Sequence, residues 1–338
     1  MSDSSPSAFL FTGPEGVGKG LASLWYAAEL NCRGGCGNGA EECSACARIS
    51  RLEHPDLYPV FPLPSGPVMK SLPELLESRR KDFYSSGEFG SRATSIGIDF
   101  IRDVREKLSR QSYQAERPAV IVFEAHQATI QAQNSFLKLL EEPPGSTLIV
   151  LVTEYPDRLL PTITSRCFRV RFDYLSAEAV AEFISSVYGL QGKELERAVR
   201  ISGGNLRRAA RYDDKRFLEI GEKGVEILTL VIRGSSRELS VAAQEVVREY
   251  NRDEIMILLG ETKRAVRFLM RRAEGVDSRF ERTFYSDLFS GEVLEKGGRR
   301  DCPLDLEKIS RSARALRRNA NAELTLAQLF LDLAGEWY

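Results

Sequence analysis

The chain has almost no net charge: 48 acidic side chains face 47 Lys and Arg, leaving a formal charge of −1 over 338 residues. No global positive field therefore draws it to nucleic acid or to an acidic membrane, and any such contact must be local. Long apolar runs are also lacking. The strongest, Ala119–Phe123 and Leu148–Val152, are five residues each, against the about 20 that a membrane-spanning helix needs. The opening Met1-Ser-Asp-Ser-Ser-Pro6 lacks the basic and then apolar pattern of an export signal. The expectation is a cytoplasmic protein with no membrane partner. Six cysteines are too few for a disulfide scaffold in a chain of this size. Four of them crowd between positions 32 and 46, which points to metal binding in a reducing compartment. The sequence shows no internal repeat and no low-complexity tract. With 43% apolar and 28% charged side chains the composition is that of ordinary globular domains, and the length predicts two or three of them.

Short apolar runs alternate with helical patterns through the first half. Ala8–Thr12 reads as a buried strand entering a turn at Gly13-Pro14, and Leu21, Leu24, Trp25 and Ala28 then recur at helical spacing. Pro55 to Ser95, rich in Pro, Gly and Ser, reads as a surface excursion with one short helix near Glu74 to Asp82. Asp99 suits the cap of a helix with Ile101, Val104 and Leu108 on one face. Ala119–Phe123 and Leu148–Val152 read as strands around a helix from Ile130 to Glu142, stopped by Pro143-Pro144-Gly145. This alternation predicts a parallel α/β domain over residues 1–173, with its ligand site at the strand ends. Val180, Phe183, Ile184 and Val187 then form a helical stripe closed by Gly189, opening a small helical unit over 174–213. Stretches such as Leu326, Leu329, Phe330 and Leu333 predict an all-helical terminal domain over 214–338.

Gly13-Pro-Glu-Gly-Val-Gly-Lys-Gly20 matches G-x-x-x-x-G-K between an apparent strand and an apparent helix, the setting that makes a phosphate-loop match strong. Gly13, Gly16 and Gly18 let backbone N–H groups turn around phosphate oxygens, and Lys19 would neutralise the terminal phosphates. The next position should be Ser or Thr, whose hydroxyl ligates Mg²⁺, and here it is Gly20. The second metal contact should be an Asp at the end of the strand, and the residue before Glu124 is Phe123. Without Mg²⁺, phosphoryl transfer loses a major electrostatic contribution, even with Glu124 placed to orient a water. The loop is expected to bind no Mg²⁺ and to hydrolyse no ATP, with weak nucleotide binding by Lys19 and the loop amides left open.

Cys32, Cys36, Cys43 and Cys46 supply four thiolates within fifteen residues, separated by Gly34, Gly35, Gly37 and Gly39. Tetrahedral Zn²⁺ takes this donor set, and a closed set of four is structural. His54 is the nearest further candidate in the sequence, and an iron–sulfur cluster or a redox dithiol is the minor alternative.

The order of these motifs resembles the delta-prime family of bacterial DNA polymerase III clamp-loader subunits, which are AAA+ proteins. The matching stretches are Gly13 to Lys19, the cysteine quartet, His54-Pro-Asp-Leu57, Ser95-Ile-Gly-Ile-Asp99 with Ile101-Arg102, Asn134 to Pro144, and Leu160 to Arg166 with Cys167. They cover most of residues 8 to 210. The resemblance implies an AAA+ domain, a helical lid and a collar that packs subunits together. It implies that the arginine of Ser165-Arg166-Cys167 points into the ATP site of a neighbouring subunit, where a guanidinium supplied in trans stabilises charge on the transferring phosphoryl group. Gly203-Gly-Asn-Leu-Arg-Arg208 looks like the lid sensor motif, so Arg207 or Arg208 would face bound phosphate, with a solvated helix start as the alternative. Three features depart from the family: the first strand lies almost at the start, where an N-terminal helix is usual; six residues separate the second and third cysteines; and the excursion after Pro55 is long.

Two arginine rows, Arg264, Arg267 and Arg271, and Arg311, Arg314 and Arg318, each fall on one helical face. Such rows are more often solvated faces than DNA contacts when the overall charge is neutral, and the resemblance assigns this region to oligomerisation. The combined expectation is a subunit that does not hydrolyse ATP itself and partners gamma/tau and delta subunits. It would meet the sliding clamp and primer-template DNA through the complex. The competing expectations are an active AAA+ ATPase of the gamma/tau type or another remodeller, and a zinc-containing DNA-binding repair factor.

Overall fold

The computed structural model describes residues 6–34, 36, 43–64, 68–81, 83, 94–109, 115–233, 236–275, 289, 291, 294, 302–317 and 319–335. Gly35, Gly37, Gly39, Asp82 and Arg318, used in the sequence reading, lie outside the described residues. The chain divides into two compact units, Met1–Tyr174 and Leu175–Tyr338.

In chain order the first unit contains β1 (Ala8–Thr12), α1 (Lys19–Leu30), α2 (Ser44–Ser50), β2 (Leu57–Val60), β3 (Leu63–Pro64), α3 (Val68–Lys81), β4 (Thr94–Ser95) and α4 (Ile98–Leu108). It continues with β5 (Ala119–Val122), α5 (Ile130–Glu141), β6 (Leu148–Thr153), α6 (Pro161–Thr164) and β7 (Phe168–Arg171). Five strands form one parallel sheet in the order β2-β5-β6-β1-β7. Every residue of β1, β5 and β6 is buried, as expected of parallel strands covered on both faces, which read as continuous apolar runs. Leu10, Ile121, Ile149, Val150 and Phe61 lie at the centre of this core. Register pairs Thr12 with Thr153 on one side and with Arg171 on the other. The loop after β1 and the ends of β5 and β6 therefore meet at one edge of the sheet, where open α/β sheets place their ligands.

The expected surface excursion after Pro55 is corrected in two ways. Leu57–Val60 is a sheet strand, with Leu57, Val60, Phe61 and Leu63 all buried. Pro59 is tolerated because β2 is the edge strand and pairs only with β5. The helix that follows runs Val68–Lys81 with Pro73 inside it, longer than the segment near Glu74. Asp99 is not the cap of α4: Gly97 is, and Asp99 sits in the first turn, 3.5 Å from Arg102. The strand β7 has no counterpart in the sequence reading, because its Phe-Arg-Val-Arg is largely exposed and gives no buried run.

The second unit is helical throughout its described residues: α7 (Ala177–Tyr188), α8 (Gly192–Ser202), α9 (Leu206–Ala209), α10 (Lys215–Arg233), α11 (Ser236–Glu249), α12 (Arg252–Ala273), α13 (Cys302–Arg317) and α14 (Ala322–Ala334). Gly189 ends α7 in the left-handed conformation. Of the stripe on α7, Val180 and Ile184 are fully buried while Val187 is exposed. Leu326, Leu329, Phe330 and Leu333 pack with Leu258, Phe268 and Val231 in a second core. Asn251 and Glu254 form a reciprocal capping box at the start of α12. Arg264, Arg267 and Arg271 are half-buried, so this row is not the solvated face expected of it, whereas Arg311 and Arg314 are exposed.

Candidate functional site

At the end of β1 the chain turns through Gly13, with φ 142°, where a Cβ would lie 2.2 Å from the Phe172 carbonyl oxygen, so no other residue fits. Gly16 and Gly18 follow with φ of 72° and 90°, and Gly18 caps α1. Lys19 is buried, and its ammonium donates to the carbonyls of Gly13, at 2.9 Å, and of Pro14. Burial lowers its pKa, with the carboxylates of Glu154 and Glu15 acting in the opposite direction. The loop thus folds around its own cation.

Next to Lys19, a Cβ on Gly20 would stand 2.9 Å from the ring of Phe83 and 3.1 Å from that of Phe123. Phe123 stacks on Phe61 at 4.4 Å, and Phe83 meets Phe123 edge-on at 5.9 Å. Arg79, on α3, lies over the rings of Phe61 and Phe83 at 5.3 and 6.0 Å and donates to the Phe83 carbonyl at 2.6 Å. It also stands 3.9 Å from Glu124. Glu124 has a left-handed backbone, φ 49°, and accepts from the Gln127 amide. Mg²⁺ demands oxygen ligands in near-octahedral geometry. At this corner Gly20 and Phe123 supply no oxygen ligand, and aromatic rings and a guanidinium stand beside the Glu124 carboxylate.

The four clustered cysteines have sulfurs all within 4.8 Å of one another. Cys32 and Cys36 sulfurs are 3.3 Å apart, and those of Cys43 and Cys46 are 3.5 Å apart. A tetrahedron of Zn–S bonds of about 2.3 Å has edges of about 3.8 Å, so the donor set fits. Backbone N–H groups point at the sulfurs, from Cys36 to Cys32 at 3.4 Å and from Cys43 to Cys36 at 3.1 Å, which favours thiolates. The Cys43 thiol is brought down to about 6, chiefly by the Cys46 backbone N–H, whereas burial pushes Cys46 up. His54 is not among the clustered ligands; its Nδ1 accepts from the Asp56 N–H at 3.2 Å. Asp56 in turn accepts from the Ala115 N–H at 2.8 Å, so His54-Pro-Asp-Leu57 braces the lead-in to β2.

Arg166 follows α6 on an exposed turn. It pairs with Glu141 at 2.7 Å and donates to the Thr162 carbonyl at 2.9 Å. Ser165 donates to the same carbonyl at 3.3 Å. Cys167 is partly covered, and burial raises its thiol to about 12. The turn is held from below by buried Gln133, whose amide accepts from the Leu160 N–H at 2.8 Å and donates to the carbonyls of Ala128 and Arg158. Gln133 was not singled out in the sequence, where it sits one residue before the Asn134 motif and carries no pattern of its own.

In the second unit, Asn205 caps α9 by accepting from the Arg208 N–H. Arg208 is buried and bonds Glu261 on α12 at 2.7 Å, so its guanidinium is engaged there. Arg207 is half-buried on the same turn.

A glycine-rich loop and buried lysine between the first strand of a parallel sheet and its helix define a P-loop α/β protein, here with a helical second unit, an arrangement consistent with AAA+ architecture. The family model described as DNA polymerase III, delta subunit, matches residues 1–176, and the chain belongs to this family as a delta-prime-like member. It is 33% identical over 175 residues to DNA polymerase III subunit delta' of Bacillus subtilis, covering 52% of this chain and 44% of that one. It is 30% identical over 204 residues to subunit delta' of Pseudomonas aeruginosa, covering 59% and 53%. It is also 27% identical over 190 residues to subunit tau of Bacillus subtilis, covering 56% and 28%. The chain thus spans about half the length, or less, of the curated relatives it matches. Among solved structures, a gamma subunit-related protein of Thermotoga maritima aligns over 99% of this chain and 96% of that one, with 18% identity and a TM-score of 0.46. No helix among the described residues is long and apolar enough to cross a membrane.

Proposed function

We propose that this chain is a cytoplasmic delta-prime-type subunit of a DNA polymerase III clamp loader, which does not hydrolyse ATP itself and lends Arg166 to the ATP site of a neighbouring gamma/tau subunit. The observation that carries the reading is a contrast within one unit. The loop's metal corner offers Gly20 and Phe123 where oxygen ligands belong, while Arg166 stands on an exposed turn, paired with Glu141. A guanidinium brought in trans stabilises phosphoryl charge and makes hydrolysis depend on subunit contact. Residues 174–213 would serve as the lid and 214–338 as the collar that packs against gamma/tau and delta. The sliding clamp and primer-template DNA would be met through the assembled complex. Cys32, Cys36, Cys43 and Cys46 would hold a structural Zn²⁺, which ties the end of α1 to α2.

Arg166→Ala is expected to leave assembly intact, by size-exclusion chromatography of the reconstituted loader, and to lower its DNA-stimulated ATPase at least tenfold at the adjacent site. Arginine fingers contribute ~10³–10⁵ in kcat elsewhere. Unchanged ATPase in a fully assembled complex removes Arg166 from this role. The likeness to tau favours one other reading, an active gamma/tau-type ATPase. That reading requires Mg²⁺-dependent ATP turnover by the isolated chain.

A further inference from the structure

Replacing the metal ligands by Gly and Phe would suffice to weaken Mg²⁺ binding, but the structure goes further and fills the space. Gly20 is the position whose side chain would reach the metal. Phe83 and Phe123 close over it so tightly that even a methyl group would stand 2.9 Å from one ring and 3.1 Å from the other. Phe123 directly follows β5, yet Arg79 comes from α3 and Phe83 from just beyond it, outside the strand and helix that flank the loop. Arg79 lies 14% exposed and ties the arrangement together. Its guanidinium covers Phe61 and Phe83, holds the Phe83 carbonyl and reaches Glu124, the carboxylate positioned to orient a water. A fixed organic cation thus stands beside the acidic group that a metal-bound nucleotide would need available.

We infer that Arg79 and Phe83 form a built-in plug of the phosphate loop, and that the loop behind it is a latent, metal-independent site for the diphosphate of a nucleotide. What remains behind the plug is still suited to phosphate: left-handed glycines that turn backbone N–H groups inward, the N-terminus of the twelve-residue α1, and a buried lysine. The Lys19 ammonium is satisfied by two loop carbonyls in the plugged state and would exchange them for phosphate oxygens once the corner opens. With no oxygen ligand at positions 20 and 123, Mg²⁺ adds nothing to that binding. The inference shares its loop with the non-hydrolysing reading above, and the two fail separately. Loss of an Arg166 effect would leave the plug standing, and nucleotide binding by the unaltered chain would leave the Arg166 role standing.

The test is calorimetric titration of the full chain with ADP and with ATP, each in Mg²⁺ and in EDTA. The unaltered chain is expected to show no saturable binding up to millimolar nucleotide. Arg79→Ala with Phe83→Ala is expected to bind ADP at least tenfold more tightly, equally in Mg²⁺ and EDTA, and to lose that binding when Lys19→Ala is added. A geometric measurement stands beside it and needs no nucleotide. Gly20→Ala should lower the thermal midpoint of the unaltered chain and cost clearly less in Phe83→Ala, where only the 3.1 Å approach to Phe123 remains. Lys19-dependent binding by the unaltered chain overturns the plug. So does a folded double variant that binds no better, or a Gly20→Ala cost that is undiminished without Phe83.

Discussion

The ion pair between Arg208 and Glu261 offers the sharpest energetic test of the second unit. Their atoms are 2.7 Å apart and both side chains are 5% exposed. Arg264 adds a second cation 3.5 Å from the same carboxylate. Two charges this deeply buried have given up most of their hydration, and mutual attraction offsets that loss only while both are present. Glu261→Ala leaves the guanidinium of Arg208 buried against a second cation, and the expected loss is about 3–5 kcal/mol. A loss of about 3 kcal/mol lowers the folded-to-unfolded ratio by roughly two orders of magnitude. Removing both charges, with Arg208→Met and Glu261→Leu, removes the desolvation together with the attraction and should return the protein to within about 1 kcal/mol of the unaltered chain. The exposed pair of Arg166 and Glu141, at 39% and 49%, is the internal control: Glu141→Gln should change stability by less than about 1 kcal/mol. Urea unfolding followed by far-UV circular dichroism, with hydrogen exchange on α9 and α12, reads the effect in the unit concerned. A Glu261→Ala cost under about 1 kcal/mol, or a double variant as unstable as the two single losses summed, would refute the buried-pair argument.

The remaining expectations concern the turn, the cysteines and a cap. Gln133→Leu strips the Leu160 N–H of its partner and should cost about 1–3 kcal/mol, with faster exchange of the Leu160 amide; unchanged exchange would show that the turn holds itself. Purified protein should carry one Zn²⁺ per chain by elemental analysis, and Cys43→Ser should lose it, whereas retention by the variant would exclude the four-thiolate site. Glu254 is held below the usual carboxyl range, first by the Arg216 guanidinium and then by the Asn251 N–H. A depressed folded value stabilises above the unfolded one, about 4.3, and that contribution is lost as pH falls through the folded value. Glu254→Gln should therefore destabilise at pH 7 and converge on the unaltered chain only as pH falls through the depressed folded value; a gap that stays constant with pH would place the effect elsewhere.

How much was legible beforehand varies with the kind of signal. The buried strands β1, β5 and β6 declare themselves as continuous apolar runs, because a parallel sheet covered on both faces admits nothing else. The glycines and lysine of the loop are legible too, since a turn through left-handed backbone tolerates few other residues. The same holds for the cysteine quartet, whose close spacing marked four sulfurs that the fold sets within 4.8 Å of one another. By contrast, Pro59 hid β2, since only the sheet order shows it to be an edge strand, and the exposed side chains of β7 hid that strand.

Local pattern also singled out Gly20 and Phe123, because each occupies a position defined by its neighbours in sequence. What fills the corner could not be read in this way. Arg79 and Phe83 lie some sixty residues from Gly20 and arrive there by the path of α3, which no periodicity encodes. The partners of Arg166 and Arg208 are of the same kind: Glu141 and Glu261 are ordinary acidic residues in the sequence, and only folding sets each within 2.7 Å of its arginine. Chain-local chemistry thus fixed which groups the protein possesses, and tertiary packing decided which of them stand against one another and which face water, because side-chain pairing and burial depend on distances that sequence separation does not set.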